Sequence, residues 1–382
     1  MQSADELGPL TRRLIALASD EVDDDQYERP LSLILDFWRK DPSQCEQAIL
    51  QSVAEWNGFP ALAGDVQVAA TEIQDAKYLD LLEQCTRAKS IPTDSKLCLL
   101  LFLAKSGSHV ALSRYVDEFR KTVRNICAGN EDATKIFLFQ FVREICLLHL
   151  SEMKDSLQAL VHFYDAHRAR KYIFDFLTKC QIDAALVWFE QGAEAVAARI
   201  REPGTKDAMR AGCIFCLGCE ASDRYYSDFV RCYEEYRNRW FVAFDVEMAC
   251  VEAIVYSAST QHLQSFLGSA LEAKAARTLR KRVFDAGLGL LLRAVYYTAR
   301  IDSGIKKQVE LCLQARNRSI AALAWLVLRK QGIDVEPYDQ ELEEAIGLER
   351  QYLREQPPLM MSMARVRVRR QTDDGDNVAK NR

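Results

Sequence analysis

Apolar residues recur at three- and four-residue spacing along almost the whole chain, the pattern of helices that turn one face inward. No segment alternates with a convincing period of two, and Gly and Pro are scarce at 16 and 9 copies, too few for the turns of a β-rich fold. Short polar breaks separate the helical segments: "EPGTKD" at 202–207, "STQ" at 259–261, "ARID" at 299–302 and "ARNR" at 315–318. Asp94, Asp207 and Ser303 stand at such starts and are suited to accept hydrogen bonds from free first-turn amides. Regular helix–break–helix alternation predicts stacked hairpins.

Stacking implies an internal period, and one is visible. "GCIFCLGC" from Gly212, "ACVEAIVY" from Ala249 and "AGLGLLLR" from Ala286 align at a spacing of 37 residues, and "AALAWLVL" from Ala321 follows 35 residues later. Three columns result: Ile214, Val251, Leu288 and Leu323; Cys216, Ala253, Leu290 and Trp325; Leu217, Ile254, Leu291 and Leu326. Small residues open each copy, allowing close helix approach, and bulky ones fill the space between layers. The longer polar segments 222–240 and 261–280 read as the outer partner of each inner helix. Upstream the pattern is looser, through 109–129, 131–150, 151–166 and 167–180.

With 36–40 residues per hairpin over about 30–355, the pattern resembles the armadillo/HEAT class of α-helical repeats. Tetratricopeptide repeats fit less well, because the period exceeds theirs and their Trp/Gly/Tyr pattern is missing. The resemblance implies an all-α, right-handed α-solenoid of stacked hairpins. An acidic N-terminal segment (1–29) precedes the repeat domain (30–355), and a tail of basic then acidic character (356–382) follows it. The class implies binding on a repeat surface, with a curved inner face presented to an extended partner.

Candidate chemistry changes this picture little. Cys213, Cys216 and Cys219 fall at three-residue intervals, which suits a metal cradle or a buried helix face. Their equivalents one period on are Cys250, Ala253 and Tyr256, then Gly287, Leu290 and Arg293, so they read as small apolar residues of an inner helix. Twelve cysteines scattered through 382 residues suit reduced thiols in the cytoplasm or nucleus. Asp24, Asp25 and Glu28 imitate an acidic magnesium motif without a second motif opposite. His109, His149, His162, His167 and His262 match no zinc spacing, and there is no HExxH, GxSxG or Walker loop. No catalytic residue, cofactor or metal is therefore expected. Neither the apolar runs Leu97–Ala104 and Leu288–Leu292 nor the N-terminal decapeptide reads as a membrane span or secretory signal.

Charge is more informative. Residues 1–100 hold 18 Asp/Glu against 9 Lys/Arg, so with a whole-chain charge of −5 the remainder is net positive. Basic clusters recur near inner-helix starts: Arg168, Arg170 and Lys171; Arg277, Arg280, Lys281 and Arg282; Arg316 and Arg318. Stacking would align such turns along one edge, giving a ridge for an acidic peptide or a phosphate backbone. Tyr225, Tyr226, Tyr233, Tyr236 and Trp240 share one amphipathic segment and are expected mainly in the core, with one or two free to reach a groove. In the tail, Arg365, Arg367, Arg369 and Arg370 form a basic cluster, and Thr372 beside Asp373 is a candidate phosphorylation site. The expected function is a non-catalytic scaffold or adaptor for a protein or peptide partner. A nucleic-acid-associated repeat protein is the alternative and a metal-dependent helical enzyme the third reading.

Overall fold

The computed structural model describes residues 8–18, 30–55, 65–67, 69–70, 72–73, 75–88, 91–130, 138–166, 173–237, 243–278, 285–298, 300–337 and 339–355. These residues are all-helical, with no strand among them. They divide into two compact units, Met1–Leu138 and Phe139–Arg382.

In the first unit, α1 (Pro9–Ala18) and α2 (Pro30–Lys40) both pack on α3 (Pro42–Glu55). From there α4 (Ala76–Cys85), α5 (Thr93–Lys105) and α6 (His109–Cys127) follow, each against its predecessor. Trp38 and Tyr78 meet edge to face at 4.8 Å, and the Tyr78 hydroxyl donates to the Val66 carbonyl at 3.1 Å. Only three residues join α5 to α6. Gly107 supplies the positive φ of 103° that this turn needs, and Ser108 caps α6 by accepting from Ala111 N. Lys96 and Glu118 tie the two helices at 2.7 Å.

The second unit contains α7 (Leu138–Leu147, entering from residue 139), α8 (Lys154–Ala166), α9 (Ile173–Gln191), α10 (Ala193–Arg201), α11 (Asp207–Cys219) and α12 (Tyr226–Tyr236). It continues with α13 (Ala243–Ser257), α14 (Thr260–Thr278), α15 (Ala286–Tyr297), α16 (Ser303–Cys312), α17 (Arg318–Lys330) and α18 (Gln340–Glu355). Alternate helices touch in sequence order: α9 on α11, α11 on α13, α13 on α15, α15 on α17. The intervening helices flank them, with α10 and α12 against α11 and α13, and α14 and α16 against α15 and α17. All twelve residues of the three sequence columns are buried. At Gly212 a Cβ would stand 3.2 Å from both the Ala184 Cβ and the Cys180 carbonyl, so the absent side chain permits the close approach of α11 to α9.

Side chains also reach from one outer turn to the next. Asp223 accepts from the Ser259 amide at 2.9 Å, 36 residues away, and Gln264 accepts from the Asp302 amide at 3.1 Å, 38 residues away. Helix starts shift slightly from expectation. Asp302 rather than Ser303 caps α16, accepting from Ile305 N at 2.8 Å, while Asp94 and Asp207 lie inside their helices' first turns. The carboxylate one residue earlier reaches an amide three positions on, a geometry closed to a residue already helical. Asp285 and Asn317 cap α15 and α17 in the same way.

One feature departs from a simple two-layer stack. α11, α13, α15 and α17 are buried along most of their length, on every side. Their segments are apolar all round, and such helices need neighbours all round. The additional cover comes from α7 and α18. Arg143 of α7 pairs with Glu252 of α13 at 2.6 Å, its guanidinium 3.9 Å from the centre of the Phe215 ring. α18 lies against α17, and its Glu349 pairs with Arg293 of α15 at 3.2 Å, while Tyr297 donates to the Leu353 carbonyl at 2.8 Å.

Candidate functional site

The basic edge is only partly within the described residues. Arg168, Arg170, Lys171, Arg280, Lys281 and Arg282 lie outside them, as do Thr372 and Trp240, and the side chain of Arg277 is likewise outside. The same holds for Asp24, Asp25, Glu28 and His167. Arg316 is exposed in the turn that links α16 to α17. Arg318, the first residue of α17, is engaged: its guanidinium meets Asp339 at 2.6 Å and Glu341 at 3.3 Å, tying α17 to the start of α18. Arg316 thus presents charge to solvent, while Arg318 is paired with carboxylates at the part-exposed start of α18.

The cysteine triplet is wholly buried. Burial pushes the Cys213 thiol up to about 12, with Arg199 pulling weakly the other way and Cys180 adding to the rise. Cys216 and Cys219 are raised well above the usual thiol range, first by burial and then by neighbours that include Cys146. Cys146 and Cys216 bring their sulfurs to 3.9 Å, and Gln181 donates toward Cys216 at 3.6 Å. Thiols in this setting stay protonated, and a protonated thiol is a poor nucleophile. No group of three His, Cys, Asp or Glu side chains among the described residues is arranged to hold a metal ion.

The aromatic segment divides as its periodicity requires. Tyr225, Tyr233 and Tyr236 are buried, and Tyr226 alone of the described four is half-exposed. Its ring stacks on His262 at 4.2 Å, and its hydroxyl donates to the His262 carbonyl at 3.1 Å. His262 Nδ1 sits 2.8 Å from Asp223. Burial raises the Asp223 carboxyl, but hydrogen bonds from His262 and Ser259, with the His262 charge, together outweigh this and hold it below the usual range. His109 and His162 are exposed on helices, and His149 lies 3.1 Å from the Cys219 carbonyl. His262 and His149 link separate segments, and these groups do not converge on one point.

Sequence reasoning missed a buried polar lattice. Glu247 of α13 meets Lys274 of α14 at 2.6 Å, under Gly287 of α15. Arg210 donates to the Tyr236 hydroxyl at 2.6 Å, which in turn donates to Asp207 at 2.5 Å. At its edge the exposed Arg201 grips the buried Asp228 through two hydrogen bonds, at 3.0 and 2.6 Å. Isolated charges within apolar repeats were the available signal, but their partners lie up to 109 residues away, as for Arg143 and Glu252.

No family model matches the chain, and no curated protein or solved structure was found to match it. No helix among the described residues is long and apolar enough to cross a membrane.

Proposed function

We propose that this chain is a non-catalytic scaffold or adaptor, built as a right-handed armadillo/HEAT-like α-solenoid, that binds a protein or peptide partner on its repeat surface. The observation carrying this reading is the ordered succession of contacts from α9 to α17, with outer turns clamped to one another at 36 and 38 residues. Such a lattice gives a rigid surface whose side chains recur at fixed intervals. The ion pairs just described serve packing, which leaves exposed turns as the recognition elements. Because α11, α13, α15 and α17 are covered, the partner surface of the second unit belongs at the turns and not in an inner groove. Arg316, with the clusters at 168–171 and 277–282, forms the proposed acidic-partner edge in the cytoplasm or nucleus.

The test is affinity capture from native cells with mass spectrometry, with and without nuclease. The Arg280→Glu/Lys281→Glu/Arg282→Glu/Arg316→Glu variant should retain helicity by circular dichroism and lose its acidic partners, mainly through slower association. Unchanged recovery of every partner would remove the edge from consideration. Recovery abolished by nuclease, with a steep salt dependence, would favour the nucleic-acid reading.

A further inference from the structure

The outward face of α18 carries Glu341, Glu344, Leu348 and Tyr352, residues that lie along one line of a helix. All four are exposed, Leu348 at 67% and Tyr352 at 39%, whereas Leu342, Ala345, Ile346 and Leu353 of the same helix are buried. The Arg293 guanidinium lies 4.1 Å from the centre of the Tyr352 ring and covers one of its faces. Leu348 and the free side of Tyr352 form an apolar step one helical turn long, with carboxylates at its N-terminal side. Glu341 is engaged by Arg318, and Glu344 accepts from the Gln340 amide at 3.0 Å. Neither Glu343 nor Glu344 has a cationic partner among the described residues.

The sequence after α18 has the complementary order. Pro357 and Pro358 come first, then Leu359, Met360, Met361 and Met363, then Arg365, Arg367, Arg369 and Arg370. A chain that reversed at the prolines would set its apolar residues against Tyr352 and Leu348 and its arginines against Glu344 and Glu343. Reach is sufficient. Along the helix axis Leu348 is roughly 10 Å from Glu355 and Glu344 roughly 16 Å. Extended chain covers about 3.3 Å per residue, so Leu359 reaches about 13 Å and Arg365 about 33 Å from the same point.

We infer that residues 359–370 dock in cis on the Glu344–Leu348–Tyr352 face of α18, as an internal ligand. Docking withholds both the apolar step and the arginine cluster from other molecules. It does not depend on the scaffold reading, since it concerns one helix and the chain next to it.

Hydrogen exchange by mass spectrometry on the full chain tests this, with a synthetic peptide of residues 357–371 as the free reference. Exchange in that segment should be at least about threefold slower in the protein than in the peptide, and independent of protein concentration. Leu348→Ser/Tyr352→Ser should return it to the free rate. Glu343→Lys/Glu344→Lys should do so partly, and adding Arg365→Glu/Arg367→Glu should restore protection, a rescue that a folding defect would not give. A free rate in the unmodified chain would overturn the inference, as would protection that survives Leu348→Ser/Tyr352→Ser. Protection that rises with concentration would overturn it too, by assigning the face to a second copy.

Discussion

Gly287 occupies a position where a single methyl group has consequences in three helices. A Cβ there would collide with the Lys274 ammonium and come within 2.8 Å of the Glu247 carboxylate. The small residue that opens this repeat therefore makes room for an ion pair, a role invisible in the column alignment, where it reads only as a helix-packing glycine. Gly287→Ala gains helix propensity of up to about 1 kcal/mol. Displacing a mostly buried pair outweighs that gain, because breaking such a pair outright costs about 3–5 kcal/mol. A net loss of about 1–3 kcal/mol is expected by urea unfolding, and combining it with Lys274→Met should be strongly non-additive. Glu247 gives a second signature. Burial raises its carboxyl, more than Lys274 and Arg237 lower it, with Asp285 adding to the rise; Tyr233 faces it from α12. In the folded chain it keeps its proton above the ordinary 4.5, so the unfolded chain binds fewer protons there. Stability from this group therefore declines as pH rises from 4.5 through the raised value. Glu252 acts in the same direction, while Asp223 acts oppositely, its contribution fading as pH falls through its lowered value. Glu247→Gln should flatten the first limb of the profile and leave the acid limb intact.

At the scale of the element, much was readable. Periodicity placed the buried helices α11, α13, α15 and α17, and the turn residues placed their ends to within a few positions. The cysteine triplet, whose middle position is Ala253 and Leu290 in the next two copies, is buried. The covering role of α7 and α18 was not readable. An amphipathic segment shows that it has a buried face, but not which helix receives it. Arg143 and Glu252 are 109 residues apart, and no local spacing links them. The α18 stripe was hidden for a related reason, since only packing decides which of a helix's apolar residues stay outside. The α7–α13 contact makes a sharp prediction. Arg143→Met removes the partner of a fully buried carboxylate and should destabilise by about 3–5 kcal/mol. Arg143→Met/Glu252→Leu should recover most of that loss, because the pair then becomes an apolar contact. A double variant as unstable as the single one would mean that α7 is held by other contacts.

At the scale of the whole molecule, the consequence lies in how damage spreads. Leu291 is buried in α15, whose neighbours α13, α14 and α17 all belong to the second unit. Truncating it leaves a cavity worth about 2–5 kcal/mol, with little room to relax because α15 is enclosed on every side. In a lattice of nearest-neighbour helices that loss is felt first by adjoining layers and fades with distance along the chain. Hydrogen exchange on Leu291→Ala should therefore rise most in residues 243–330, less in 173–201, and not at all in the first unit at 30–130. The extra cover given by α18 adds a refinement that a two-layer stack would lack. Since α18 contacts α15 through Glu349 and Leu353, residues 340–355 should loosen together with α15 although they lie about 50 residues further on. An equal rise across both units would point instead to one cooperative core. A rise in 286–330 that spared 340–355 would show that α18 is an appendage and not part of the layer.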